Sequence, residues 1–288
     1  LSFDPPDIPP GAPLASVTIM LVGCGNMGGA MLAGWLRSGV PAASITVIDP
    51  SLASVPAGIQ LLGSIPAGHA PPTVIVLAVK PQKLAEIAPS LVELAGPSTV
   101  LVSVLAAVEF TTLRHYFPSA GLLVRAVPNL PAAIGRGVTA LVGDGGDGAS
   151  RALAETLFSP LGVVEWMDDE SLCAIATTVS GATPAFFFRI ADAMALAAEA
   201  QGLGREQALR LIAETMAGSA AMLAEAGADP ADMARRVASP GGVTLAGLKI
   251  LDEADALTRL MGDTIAASAA RNDEMTRAFR PQTFPQEQ

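Results

Sequence analysis

Charged side chains fill only 15% of this 288-residue chain, and aromatic ones only 4%. Hydrophobic residues nevertheless reach 51%, and Ala and Gly are abundant. Small residues at that density suggest closely packed helices and more apolar surface than a single copy readily hides. Positive charge is short too: 17 Lys and Arg face 27 Asp and Glu, for a net charge of −10. Nucleic acid and anionic membranes both need a cationic footprint, so neither is an expected partner. Cys24 and Cys173 are the two cysteines, and their spacing fits neither a metal cluster nor a disulfide framework. Both read as small buried apolar residues, and no metal is expected. No long apolar run appears. The stretch Leu172–Phe188 is uncharged but contains Ser, Thr, Gly and Pro, whereas a membrane-spanning helix needs about 20 predominantly apolar residues. Residues 1–16 are Pro-rich and lack a basic region followed by an apolar stretch. They read as a flexible leader and not as a signal peptide, so the cytoplasm is the expected compartment.

What is present falls into two parts. Short apolar runs at Val17–Val22, Ile45–Ile48, Thr73–Val79, Thr99–Val104, Leu122–Val127, Thr139–Val142 and Val163–Trp166 alternate with helical patterns. Continuous apolar strands separated by helices indicate a mostly parallel sheet covered on both faces, the doubly wound Rossmann-type α/β architecture. After Trp166 the strand signal stops, and six helical stretches follow, broken at Gly181–Pro184, Gly202–Gly204, Gly227–Pro230 and Ser239–Gly242. The expected organisation is therefore a leader (1–16), a dinucleotide-binding domain (17–166), an all-helical domain (167–279) and a tail (280–288).

The segment Gly23-Cys24-Gly25-Asn26-Met27-Gly28 follows a strong strand and opens a helix. Gly23 permits the tight turn, Gly25 lets the backbone approach a pyrophosphate, and Gly28 brings helix and strand together. An isolated glycine pattern is as consistent with a plain turn. Here strand, loop, helix, second strand and a terminal acid occur in the order that dinucleotide binding requires. Asp49 ends the second strand, where a carboxylate accepts hydrogen bonds from ribose hydroxyls, although it also suits a turn before Pro50. Between Arg37 and Lys80 there is neither Lys nor Arg. A 2′-phosphate would meet a carboxylate and no cation there, which favours NADH over NADPH.

Val22–Gly28, Ala78-Val79-Lys80-Pro81, Arg125-Ala126-Val127-Pro128-Asn129, Ser180–Ala185 and Ser239-Pro240-Gly241-Gly242-Val243-Thr244 together resemble the pyrroline-5-carboxylate reductases. The resemblance runs from about Val17 to Arg271, and the Ser-Pro-Gly-Gly-x-Thr segment is its most specific element. It implies NAD(P)H-dependent reduction of 1-pyrroline-5-carboxylate to L-proline, the last step of proline biosynthesis. It also implies dimerisation through the C-terminal helices, with a larger assembly left open. By the same resemblance Cys24 to Met27, Asp49, Val79, Lys80 and Asn129 would face the cofactor, with Leu105 and Ala106 near the nicotinamide. Glu170, Ser239, Gly241, Gly242, Val243 and Thr244 would surround the substrate. The chain departs from the family pattern at Leu105, Ala107, Leu130, Thr183 and Phe186.

The residues available for acid–base chemistry fit an imine better than an alcohol. An alcohol dehydrogenase needs a positioned group to move the hydroxyl proton. His69, His115, Tyr116, Lys80 and Lys83 all read as surface or cofactor-side residues, and Lys249 is the one Lys after Trp166. A protonated C=N accepts hydride directly at carbon, so positioning supplies much of the effect. The glycines of Ser239–Thr244 leave backbone N–H groups free for a carboxylate, and the Thr244 hydroxyl adds a donor. Glu170 could balance the iminium charge, or serve as an ordinary first-turn residue. Thr244 and Glu170 are thus the candidate catalytic residues. The alternatives are a hydroxyacid dehydrogenase or another imine reductase of similar architecture, and a non-catalytic cofactor-binding regulator.

Overall fold

The computed structural model describes residues 17–227 and 229–280. The expected leader and the tail beyond Arg280 lie outside the described residues. Two compact units emerge. One runs to Ala182 and takes in the chain from Ala269 onward; the other comprises Thr183–Ser268.

The first unit is built on eight strands: β1 (Ile19–Val22), β2 (Ile45–Ile48), β3 (Gln60–Leu62), β4 (Val74–Leu77), β5 (Val100–Ser103), β6 (Leu122–Pro128), β7 (Gly137–Gly145) and β8 (Gly162–Trp166). Their order is β3-β2-β1-β4-β5-β6-β7-β8, so the winding reverses between β1 and β4. All described pairs are parallel except β6 with β7. Every residue of β1, β4 and β5 is buried, as expected of strands covered on both faces. Alternate side chains feed two cores. Ile19, Leu21, Val74 and Val76 join Met31 and Trp35 of α1 (Asn26–Arg37) and Leu157 of α4 (Gly148–Phe158). Met20, Val22, Ile75 and Leu77 join Leu84 of α2 (Leu84–Leu91) and Leu113 of α3 (Phe110–Tyr116). The Trp35 indole N–H donates to the Leu157 carbonyl at 2.7 Å, which ties α1 to α4.

The observed fold departs from the sequence expectation in several places. β3 is absent from the expected strand set because its three residues lie in a Gly- and Pro-rich stretch. Backbone pairing with β2 creates it, helped by the Thr46 hydroxyl donating to the Gln60 carbonyl oxygen Oε1. The first unit also continues past Trp166. Helix α5 (Glu170–Ala176) packs on β6 and β7 with Cys173 fully buried, because its apolar face is covered by the sheet. The end of α10 (Ala256–Phe279) returns to this unit, where Phe279 packs against the second core and Arg280 pairs with Glu109 at 2.9 Å.

The expected break at Gly181–Pro184 is bridged by a π-turn over Thr177–Gly181. Thr177, Thr178 and Ser180 each donate a hydroxyl to the carbonyl four residues earlier. The resulting stretch, Glu170–Ala200, is the one described helical segment long and apolar enough to cross a membrane by length and composition.

The second unit contains α6 (Thr183–Ala200), α7 (Arg205–Ala226), α8 (Pro230–Val237), α9 (Val243–Asp252) and the start of α10. Helices α6 and α7 pack on one another, with Ala195 and Ala208 buried. Arg205 pairs with both Asp192 and Glu199, closing the turn between them. Phe187, Phe188, Met194, Leu196, Leu211 and Met222 remain exposed.

Candidate active site

The loop after β1 has the geometry that dinucleotide binding demands. Gly23 sits at φ +90, and a Cβ there would lie 2.8 Å from the Ala78 backbone. A Cβ on Gly28 would lie 2.4 Å from the Gly23 carbonyl oxygen, so close contact between helix and loop depends on its absence. A Cβ on Gly25 would meet nothing within 4 Å; there the open side is left for a ligand. Gly25 and Asn26 are exposed at the start of α1, where no side chain caps the helix. Unpartnered N–H groups at a helix start suit a phosphate. Cys24 and Met27 are half-buried, with their side chains packed against the first core.

Asp49 stands beside this loop. Its Oδ2 accepts the Cys24 N–H at 2.9 Å, while its Oδ1 accepts the Ser51 N–H at 2.9 Å and the Ser51 hydroxyl at 2.6 Å. Burial pushes the Asp49 carboxyl upward, but the Ser51 hydroxyl and the Cys24 and Ser51 N–H groups outweigh it and hold it below its ordinary value. Burial, assisted by the Asp49 charge, raises the Cys24 thiol. Ser51 escaped the sequence reading, although an acceptor two residues before a Ser is a turn signature.

The loops after β4 and β5 continue the same edge. Val79 is half-buried and Lys80 exposed. After β5, Leu105 is buried and Ala106 exposed, with the Leu105 N–H held by the Ser103 hydroxyl at 3.3 Å. Asn129, expected to face the cofactor, has its side chain engaged within the protein. Its amide nitrogen donates to the Ser180 carbonyl at 3.2 Å and its Oδ1 accepts the Val138 N–H at 2.9 Å. It is a staple between the end of β6, the start of β7 and the π-turn.

Glu170, expected beside the substrate, is likewise engaged within the protein. Its Oε1 accepts both the Arg125 guanidinium at 2.8 Å and the Phe110 N–H at 2.7 Å. Arg125 is buried in the middle of β6, and a charge there requires a partner. The Glu170 carboxylate therefore already neutralises a fixed cation, leaving it poorly suited to balance a substrate's charge. An Arg within an apolar strand was the signal for this pair. Both residues line a cavity of about 550 Å³ in the first unit, along with Glu109, Asp273, Arg277 and Arg280.

The Ser239–Thr244 turn belongs to the second unit. Gly241 adopts φ +73, and the Gly242 N–H closes the turn on the Ser239 carbonyl at 2.9 Å. Gly242 caps α9 without a side-chain hydrogen bond, so Thr244 is a first-turn residue and not the cap. Val243 is 91% exposed, and Thr244 is exposed as well. The first-turn N–H groups and the Thr244 hydroxyl thus face outward as donors.

Residues 170–275 match the pyrroline-5-carboxylate reductase dimerisation family, and residues 18–107 match a family described as NADP oxidoreductase, coenzyme F420-dependent. The pyrroline-5-carboxylate reductase of Pseudomonas aeruginosa is 32% identical over 268 residues, spanning 91% of this chain and 98% of that protein. That of Glycine max is 31% identical over 272 residues, spanning 92% and 98%. A solved pyrroline-5-carboxylate reductase from Coxiella burnetii superposes with a TM-score of 0.84 at 28% identity, covering 91% of this chain and 99% of that one. The Plasmodium falciparum pyrroline carboxylate reductase, solved with NADP bound, shares the fold at a TM-score of 0.81 and 22% identity, covering 91% and 99%. With a glycine loop and acid-tipped second strand in one unit, a glycine turn opening a helix in the other, and relatives matched over nearly their full length, the chain belongs to the pyrroline-5-carboxylate reductase family.

Proposed function

We propose that this protein reduces 1-pyrroline-5-carboxylate to L-proline with a reduced nicotinamide dinucleotide, and that it prefers NADH. The observation that carries the reading is the match to pyrroline-5-carboxylate reductases over nearly their full length, in a chain that carries both glycine loops. The residues of the first loop fit a dinucleotide: the space over Gly25 is open, the start of α1 offers N–H donors, and Asp49 offers an ionised carboxylate. When bound, the reduced nicotinamide supplies the hydride.

The protein's own contribution is placement. Main-chain N–H groups of Gly241 and Val243 and the start of α9 would hold the substrate carboxylate, while the Gly242 N–H keeps the turn closed on Ser239. The Thr244 hydroxyl would orient the ring nitrogen. The imine enters protonated, hydride at its carbon gives the secondary amine, and that amine takes up a proton from water afterwards. No strong protein acid is required at the transition state, which suits a chain whose only Lys after Trp166 is Lys249. Ribose hydroxyls would donate to the lone pairs of Asp49, whereas a 2′-phosphate would be repelled by it, which favours NADH. Two copies would associate through the helices of residues 170–275, as supported by the family match and by exposed apolar side chains such as Phe188 and Leu196.

Loss of reduced-nicotinamide absorbance on adding pyrroline-5-carboxylate tests the activity. Thr244→Ala should lower kcat about tenfold, the size of one lost hydrogen bond to a charged group, with unaltered NADH affinity. Turnover equal to that of the parent enzyme would remove Thr244 from the reaction.

A further inference from the structure

The loop joining β5 to α3 holds an unfavourable backbone shape, and its surroundings account for that. Ala107 has φ 63, in the left-handed region that L side chains avoid, and it is buried. Such strain persists only where neighbouring contacts over-determine the chain. Here they do so at both ends. The Ser103 hydroxyl accepts the Leu105 N–H at 3.3 Å. Beyond the loop, Glu170 accepts the Phe110 N–H at 2.7 Å while paired with Arg125 at 2.8 Å, and Glu109 is paired with Arg280. Leu105, Ala107 and Val108 are buried, so Ala106 is the residue this loop presents outward.

The place of the loop gives this rigidity a use. The strand order reverses between β1 and β4, and a dinucleotide crosses the sheet edge at such a point. With its pyrophosphate on Gly23–Gly28 after β1, its nicotinamide half would lie toward the ends of β4 and β5. We infer that Glu170 is a positioning residue: with Arg125 and the left-handed Ala107, it sets the Val104–Glu109 loop as a preformed seat for the nicotinamide ring. No residue of α3's own N-terminus caps it by a side chain, so the Glu170 bond to its first N–H is what fixes this end of the loop, beyond the partner that Arg125 needs. The inference rests on the reductase reading for its kinetic arm, while its binding arm is independent of substrate.

The test compares Glu170→Ala and Glu170→Gln with the parent enzyme, using NADH and ADP-ribose as probes. ADP-ribose fills the pyrophosphate half and has no nicotinamide. In Glu170→Ala, NADH affinity should fall at least fivefold and kcat at least tenfold, with ADP-ribose affinity held within twofold. Glu170→Gln keeps an oxygen that accepts from both Phe110 and Arg125, so it should recover most of both losses. Equal loss of NADH and ADP-ribose affinity would reduce Glu170 to general support of the fold, and unchanged affinities for both would remove the seat. Parental NADH affinity with kcat equally depressed in both variants would instead make the carboxylate charge part of the reaction. If the parent enzyme fails to turn over pyrroline-5-carboxylate, the proposed function falls, yet the NADH and ADP-ribose comparison still decides the seat.

Discussion

Asp49 does two jobs that its chemistry makes compatible. Its two oxygens already order the glycine loop through Cys24 and the following turn through Ser51. Oδ1 already accepts two hydrogen bonds, but Oδ2 accepts one and keeps a second lone pair, so a ribose hydroxyl can add there without displacing these contacts. Asp49→Ser should raise the ratio of NADPH to NADH kcat/KM about tenfold, the effect of roughly 1.4 kcal/mol, and steady-state kinetics with both coenzymes would measure it. An unmoved ratio would locate coenzyme choice elsewhere. The lowered Asp49 carboxyl also has a pH consequence. A depressed carboxylate contributes fully above its unfolded pKa of about 3.9, and its contribution fades as pH falls through the lower folded value. NADH affinity should thus stay level from neutral pH to roughly pH 5. Ser51→Ala, which removes the leading hydrogen bond, should make the affinity decline at a higher pH, as read by quenching of protein fluorescence. Superimposable profiles would rule out Ser51 as the group that tunes Asp49.

Elements β1, β4 and β5 were legible because runs such as Ile-Met-Leu-Val leave no polar face. Periodicity also marked α6 and α7, ended by Gly202 at φ +94 and Gly227 at φ +54. The short β3 was not legible, since its three residues form a strand only by pairing with β2. The π-turn was hidden for a related reason: hydroxyls that normally interrupt a helix here bond backwards to its carbonyls. At the β7–β8 edge, Gly162 lies at φ +135, and a Cβ there would fall 2.0 Å from the Gly137 carbonyl oxygen. Gly162→Ala should cost about 1–3 kcal/mol, the usual penalty for a misplaced backbone conformation, and lower Tm in a thermal melt. An unchanged Tm would mean that the edge pair yields without loss.

At the scale of the whole molecule, apolar surface is the dominant fact. Phe187, Phe188, Met194, Leu196, Leu211 and Met222 stand exposed on α6 and α7, more than an isolated soluble chain ordinarily shows on one helical pair. Phe188→Asp should weaken self-association, shifting the light-scattering mass toward that of one chain at micromolar concentration and lowering specific activity in parallel. A variant that kept the parental mass would place the interface on other residues.

The amino-acid sequence by itself determined most of the strands and helices, the glycine loop with its acid partner, and the glycine turn before α9. All of these follow from local periodicity and from backbone shapes that particular residues permit. Tertiary structure decided what the polar groups within those elements do. Asn129 became a staple, Glu170 was claimed by Arg125 and Phe110, and Ser51 was recruited to Asp49. The reason is that a buried donor or charge must be satisfied by whatever the fold brings near it, and Glu170 meets Arg125 from 45 residues away in the chain.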